Sequence, residues 1–216
     1  MQTMKDYEEW HNEALAQKVV DRLRRNGFDA FYFGTSGEAS SWIRQQLKPG
    51  IIVGFGGSAT VRAMGIREMA SEAGTLIADH GKPGLNFEEK MTEMRRELLS
   101  DVFISSANAI TLNGEIVNVD GYGNRVAAMI FGPRQVIIVA GINKIVSSEA
   151  EAMERLKRKA GPMNMKRLER KTPCTGDGYC HDCDSPDRGC RAYTILRKRP
   201  ALTPTTVILV GEPLGM

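Results

Sequence analysis

Apolar residues recur along this chain in two rhythms, one of helical period and one of short runs or alternation, and the two take turns from end to end. Between positions 4 and 25, Tyr7, Trp10, Ala14, Leu15, Ala16, Val19 and Leu23 fall at helical intervals with charges between them, which predicts an amphipathic helix. Asn26-Gly27 stops it, because glycine takes the left-handed conformation that closes a helix. Phe28–Phe33 reads as a strand, 36–47 as a second helix, and Ile51–Val53 as a short apolar strand of the kind buried in a parallel sheet. A helix over Ala59–Ala73, a strand over Thr75–Ala78 and a loop over 79–85 come next. Asn86 is placed to cap a helix over Phe87–Leu99, with Glu88 and Glu89 in its first turn.

Asp101–Ser105 predicts another strand and leads into a hairpin: Ala109, Ile110 and Leu112, then Asn113-Gly114, then Ile116, Val117 and Val119. Asn-Gly favours a type I′ turn, whose central residues both need positive φ. The second strand runs into Asp120-Gly121-Tyr122-Gly123-Asn124-Arg125 and a short apolar helix, Val126–Phe131. Val136–Ala140 is a further strand, and Ser148 with Glu151 makes a capping-box pattern for a helix to Lys159. Gly161-Pro162 predicts the end of that helix, with a short basic helix beyond it to Arg170. After a cysteine-bearing segment, Tyr193–Leu196 and Thr206–Val210 predict two last strands. The alternation implies an α/β fold: a mostly parallel sheet with helices on both faces, carrying an antiparallel hairpin. No linker or repeat divides the chain, so residues 1–216 are expected to form one domain, with the Cys-rich segment 172–191 inserted before the last two strands.

Composition narrows the function classes. At 216 residues, 42% hydrophobic and 25% charged, the chain matches an ordinary globular domain able to bury a full core. A net charge of +3 makes no case for nucleic acid. No apolar run approaches the 18 residues of a membrane span, and the charged stretch MQTMKDYEEWHNEA lacks the core of a signal peptide. A cytoplasmic address is the resulting expectation. The basic residues between Arg155 and Lys171 sit at helical spacing from acids, Glu151 with Arg155 and Glu154 with Arg158. That pattern predicts a solvated helix face, with binding of an anionic ligand or partner as the alternative.

Two glycine-rich turns carry candidate chemistry. Gly54-Phe55-Gly56-Gly57-Ser58-Ala59-Thr60 joins a buried strand to a helix. Glycine removes the Cβ atoms that hold an oxyanion away from backbone N–H groups, and Ser58 and Thr60 add hydroxyl donors beside a helix N-terminus. The pattern departs from the dinucleotide fingerprint at Ala59 and has no Gly-Lys-Ser/Thr of a phosphate-binding loop, so close strand–helix packing stands beside it as an explanation. In the second turn Asn124 and Arg125 are anion-binding candidates, Arg125 as a clamp, and Glu115 and Asp120 are acid/base candidates. A capping role for Asp120 or Asn124 and a solvent-facing Glu115 are the plainer readings. His80, in Asp79-His80-Gly81-Lys82, could add a titratable group to the same crevice or simply be exposed. Ligands in open α/β sheets bind beyond the carboxyl ends of strands, so both turns are expected to face one small anionic ligand.

All four cysteines, Cys174, Cys180, Cys183 and Cys190, fall within 17 residues. Only Cys180 and Cys183 have the short chelate spacing; neither a two-pair zinc ribbon nor a ferredoxin spacing is reproduced. A metal site, either a [4Fe–4S] cluster or zinc, redox-active or disulfide-bonded thiols, and unligated thiols all remain open readings, with His181 as a substitute ligand.

The glycine turn G-x-GGS-x-T at Gly54–Thr60, with T-x-NGE-x-V-x-x-DG-x-GNR at Thr111–Arg125, resembles the LUD-domain family of lactate-utilisation proteins. The resemblance implies a fold similar to ribose-phosphate isomerases, glucosamine-phosphate deaminases and CoA transferases, with Gly54, Gly56, Gly57, Ser58 and Thr60 around an anion. It also implies a redox-associated role in lactate or hydroxy-acid use beside iron–sulfur partner subunits. The alternative it leaves is an isomerase, deaminase or transferase acting on a phosphorylated sugar, nucleotide or CoA-type substrate, or a non-catalytic module. A family fold hosts many reactions.

Overall fold

The computed structural model describes residues 3–216. Its strands in chain order are β1 (Asp29–Phe33), β2 (Ile52–Phe55), β3 (Leu76–Ala78), β4 (Val102–Ser105), β5 (Ala109–Thr111), β6 (Ile116–Asp120), β7 (Gln135–Gly141), β8 (Ile145–Val146), β9 (Ala192–Leu196) and β10 (Thr205–Val210). Its α-helices are α1 (Met4–Arg25), α2 (Ser36–Arg44), α3 (Ala59–Ala63), α4 (Ile66–Glu72), α5 (Phe87–Glu97), α6 (Asn124–Ile130), α7 (Glu149–Arg155), α8 (Gly161–Arg167) and α9 (Cys174–Asp177).

Six strands in the order β1-β10-β7-β4-β2-β3 form one sheet in which every neighbouring pair is parallel. Successive side chains of a strand point to opposite faces, and both faces are covered. Phe103, Val136, Ile138 and Leu209 pack under α1 and α6, against Val19, Leu23 and Met129. Ile104, Ile137, Val139 and Ile208 pack on the other side against Ile43, Val61 and Ile66 of α2, α3 and α4. This is the expected α/β architecture, and the apolar strands of the centre are buried on both sides as a parallel sheet requires.

Several elements differ from the sequence expectation, each for a physical reason. The hairpin does not join the parallel sheet. It forms a second sheet, β8-β5-β6-β9, in which β6 pairs antiparallel with β5 and β9. Ile110 and Ile116 face the main core while Ala109 and Val117 face α7. The predicted final pair of strands is therefore divided, β9 going to the small sheet and β10 to the centre of the large one. The hairpin turn is not type I′. Leu112-Asn113-Gly114 is a three-residue loop in which only Gly114 has positive φ, at 77°, and Gly114 N–H donates to the Thr111 carbonyl at 2.8 Å. The helix expected over 59–73 is interrupted at Gly65, which adopts φ 64° and splits it into α3 and α4. On α1, Tyr7 and Trp10 are exposed and the buried stripe begins at Ala16.

Gly161-Pro162 does not end a helix. Leu156–Ala160 forms a π-helical turn in which Gly161 N–H reaches back to the Leu156 carbonyl, and α8 continues directly from it. In that register Pro162 stands opposite the Lys157 carbonyl and has no N–H to give it. The carbonyl instead accepts Cys180 N–H at 3.1 Å, which docks the cysteine segment on the helix. Glu154 and Arg158 do pair, at 3.5 Å, but Arg155 turns inward and donates to the carbonyls of Asn108 and Asn143, while Glu151 serves Ser147. Among the described residues no helix is long and apolar enough to cross a membrane.

Candidate functional site

A cavity of about 830 Å³ opens where β2, β3, β4 and β7 end, the place where open α/β sheets bind ligands. Its floor holds Gly56, Gly57, Ser58 and Thr60 from the turn after β2, His80 after β3, Ser106 after β4 and Lys144 after β7. Asp120, Asn124 and Arg125 of the β6–α6 turn form one wall. Asn164, Arg167 and the segment Pro186–Arg191 close it from above. The two glycine turns thus meet in one cavity although β6 belongs to the other sheet.

They contribute to it differently. In the first, the side chain of Ser58 caps α3 by accepting Val61 N–H at 3.2 Å. Gly57 sits at φ 68° with its α-carbon facing His80. The N–H groups of Gly57, Ser58, Ala59 and Thr60 meet no acceptor among the described residues, so this turn offers free donors. Because α3 is only five residues long, it adds little dipole, and the attraction for an anion rests on those donors and on nearby cations. Gly54 lies within β2, outside the cavity lining. A Cβ there would come 2.8 Å from Ser100 Oγ, so its role is close packing.

In the second turn the ionised side chains are committed, although the backbone N–H groups of residues 121–125 meet no acceptor among the described residues. Arg125 donates Nε to Asp120 Oδ1 at 2.8 Å, one terminal nitrogen to the Ser106 carbonyl (2.8 Å) and Asn118 Oδ1 (2.9 Å), and the other to Asn108 Oδ1 and the Val119 carbonyl (both 3.0 Å). A guanidinium has five N–H donors, and all are used. Arg125 is a half-buried tie between the two sheets, with no N–H left over to clamp an anion. Asp120 spends its other oxygen on Val126 N–H at 3.1 Å, which makes it a helix cap with no free oxygen for proton transfer. Asn124 lines the cavity and donates to Glu97. Glu115 stays in the hairpin, outside the cavity lining, and accepts Thr111 Oγ1 at 2.7 Å. The four acid/base and clamp candidates of the sequence reading are therefore not assembled as a catalytic group.

Two other groups take that position. His80 Nδ1 lies 2.6 Å from Glu97 Oε1, which also accepts the His80 backbone N–H at 2.9 Å. Glu97 is 0% exposed. Burial works against a charge on His80, but the hydrogen bond and charge of Glu97, with Asp79 and Asp120 adding to it, hold its pKa above the ordinary value. Its Nε2 faces Gly57 across the cavity. This is an imidazole oriented by a buried carboxylate, the usual arrangement of a general acid/base. Asp79, His80 and Glu97 lie close enough together to suggest a cation site. Asp79, however, is taken up by Arg67 and Gly81 N–H, and Glu97 by His80 and Asn124.

The second group is Lys144, 4% exposed. Its Nζ donates to Ser106 Oγ at 2.6 Å and Thr60 Oγ1 at 2.8 Å. Burial, with the charges of Arg155 and Arg125, lowers its pKa to about 7. Sequence reading missed it because a lysine three residues past an apolar strand looks like a surface residue. The usable signal was position: it follows the C-terminal end of a central strand. Glu97 was missed for a related reason: in a helix rich in charged residues, nothing local marks it as the acid that folding buries.

The four thiols are all free. Cys174 is buried beside Thr172, Cys180 docks on the π turn, and Cys190 lies against Gly161 and in the cavity wall. Burial pushes the Cys190 thiol up to about 11, with the other three thiols close enough to push the same way. The four thiols lie near enough to influence one another, but among the described residues no three of their sulfurs are as close together as the ligands of a single ion. The Arg188 guanidinium donates to the carbonyls of Cys183 and Cys190, and four thiols are the donor chemistry of an iron–sulfur cluster. His181 is instead paired with Asp177 at 2.6 Å.

Nine Lys or Arg residues line the cavity against two Asp. Arg167, exposed, and Arg170, half-buried, belong to the basic stretch expected to be a solvated face, and both also border the cavity.

Known proteins bear on this arrangement in three ways. No curated protein matches the chain. Among solved structures, a DUF162 family protein from Deinococcus radiodurans superposes with a TM-score of 0.54 at 17% identity, over 93% of this chain and 98% of that one. The eIF2B beta subunit from Chaetomium thermophilum gives a TM-score of 0.38 at 16% identity, over 62% of this chain and 47% of its own. The LUD domain family matches residues 16–210, from α1 to the end of β10 and through both glycine turns. With that match over nearly the whole chain, this protein belongs to the LUD-domain family.

Proposed function

We propose that the protein is a redox-associated component of hydroxy-acid utilisation, binding a small hydroxy or oxo acid such as lactate or pyruvate in the cavity at the ends of β2, β4 and β7. The observation that carries this reading is the shared wall: Cys190, of the four-thiol segment, lines the same cation-rich cavity as His80. The free N–H groups of the Gly57–Thr60 turn and the surrounding cations would hold the carboxylate. His80, oriented by Glu97, would exchange a proton with the hydroxyl or carbonyl oxygen of the bound acid. Cys174, Cys180, Cys183 and Cys190 would hold a [4Fe–4S] cluster, which would supply one-electron transfer. Iron–sulfur partner subunits of a lactate-oxidising system would be the onward electron acceptors.

Anaerobic purification followed by iron and sulfide analysis tests the cluster, with Cys190→Ser expected to lose most of the iron. Titration with L-lactate and pyruvate then tests the cavity. Binding is expected for the parent and to weaken about tenfold or more in His80→Gln. Colourless, metal-free protein that still binds pyruvate would remove the redox half of the reading. Iron-loaded protein indifferent to both acids would remove the substrate.

A second reading, an isomerase, deaminase or transferase on a phosphorylated or CoA-type substrate, is favoured by the His80–Glu97 pair, which needs no redox centre to move protons. Thermal-shift measurement against such ligands separates the two. Docking through the 155–171 face is disfavoured, since Arg155 is tied to carbonyls and Arg167 and Arg170 border the cavity.

A further inference from the structure

We propose that Ser106, with Lys144 as its base and Thr60 holding that base in place, is a nucleophile for acyl transfer from a small anionic ester or thioester held in the cavity. This activity goes beyond the redox reading and does not depend on it, since the step uses no thiol and no metal.

Three neighbouring strands deliver the three side chains. β2, β4 and β7 are adjacent in the large sheet, and Thr60, Ser106 and Lys144 follow their carboxyl ends. All three are at most 5% exposed, and all three line the cavity. The amine contacts two hydroxyls and no carboxylate: Ser106 Oγ at 2.6 Å and Thr60 Oγ1 at 2.8 Å. The Thr60 hydroxyl proton is directed to the Leu214 carbonyl, at 3.5 Å, so Thr60 accepts from the amine and fixes it. Ser106 Oγ also reaches Thr60 Oγ1 at 3.4 Å and the Ala107 carbonyl at 3.3 Å, but its shortest contact is the 2.6 Å one to the amine, which can take its proton. Nucleophile, base and the group that orients the base are thereby in hydrogen-bond reach of one another, which is the recurring geometry of activated hydroxyl nucleophiles.

A purely structural role explains this poorly. A buried lysine that serves the fold is ordinarily paired with a carboxylate, because an unpaired buried charge is costly. The charges that bear on Lys144 are cations, Arg155 from α7 and Arg125 from α6. Together with burial they hold the amine near neutrality at physiological pH, which is the state a base needs.

In the step, Ser106 Oγ bonds the acyl carbon as its proton passes to Lys144 Nζ. Collapse of the tetrahedral adduct breaks the bond to the leaving alkoxide or thiolate, which takes the proton from Lys144. Water then attacks the acyl-serine, giving one proton to Lys144. Collapse of that adduct releases the carboxylic acid, which loses its proton to solvent, and Ser106 recovers its hydroxyl proton from Lys144. The cavity's excess of cations over acids selects an anionic acyl donor.

The test is covalent labelling of the full chain with a small alkyl fluorophosphonate, and separately with p-nitrophenyl acetate, read by peptide mass spectrometry. One adduct is expected, on Ser106, forming faster as pH rises from 6 to 8 with a midpoint near 7. Lys144→Met is expected to slow labelling about 100-fold or more with an unchanged circular dichroism spectrum. Thr60→Val removes an acceptor of the ammonium form and is expected to move the midpoint to lower pH, a shift that lost packing alone would not produce. A flat pH profile in the parent, no adduct on Ser106 in folded protein, or undiminished labelling in Lys144→Met overturns the proposal. The parent's pH profile decides it even if a variant does not fold.

Discussion

The turn after β2 and the turn after β6 share a vocabulary of glycines with small polar or charged residues, and both face one cavity, yet they differ in what their charged side chains do. Around Arg125 all five guanidinium donors and both Asp120 oxygens are already bonded within the protein. Backbone N–H groups that meet no acceptor among the described residues occur in both turns, over Gly57–Thr60 and over residues 121–125. The turns are therefore separated by their side chains: a saturated side-chain cluster rigidifies and locates, and the free N–H groups are what each turn has left to bind with. Residue type alone would have given Arg125 the binding role; counting its hydrogen bonds gives it to the scaffold.

The largest effect expected from this contrast is on stability. Arg125→Met leaves Asp120, Asn118, Asn108 and two carbonyls without their donor, and should cost about 3–5 kcal/mol by urea denaturation. A variant that keeps its stability and loses only ligand affinity would return Arg125 to the clamp role.

The next concerns Lys144 and pH. Unfolded, it stays protonated up to its ordinary value of 10.5; folded, only to about 7. Between those values the unfolded state carries the extra proton, so stability rises with pH. The parent should gain on the order of a few kcal/mol relative to Lys144→Met as pH rises from 7 towards 10. Parallel stability curves for the two proteins would mean that the amine is charged in the fold.

A smaller effect is expected at the turn after β2. Gly57→Ala forces a side chain to φ 68° and sets a methyl 3.4 Å from His80 Nε2. It should cost about 1–2 kcal/mol and weaken anion binding, followed by calorimetric titration with pyruvate and inorganic phosphate. Undiminished affinity for both would mean the free N–H groups do not bind. The smallest effect falls outside the cavity. Glu115→Gln should change stability by less than about 0.5 kcal/mol and leave ligand affinity untouched, whereas an effect on affinity would bring the hairpin back into the site.

The hydrophobic rhythm by itself determined the α/β class and the order of the elements, because burial needs apolar residues at the period of each element wherever that element ends up. The caps at Asn86 and Ser148 were legible for the same local reason: an N-cap bond spans three residues. The place of the first glycine turn at the cavity followed from the rule that parallel strands present their ends to ligands, whereas the second, after β6 of the other sheet, comes to it only through the tertiary fold. What only the tertiary structure decided depends on contacts between distant residues. β9 and β10 look alike along the chain but enter different sheets. A helix runs through Gly161-Pro162 because the carbonyl left without an N–H finds Cys180. The ionisation of His80 and Lys144 is set by partners 17 and 38 to 84 residues away. Local sequence fixes what a backbone segment prefers, whereas charge and hydrogen-bond saturation depend on which groups folding brings within about 3 Å, and no local pattern carries that information.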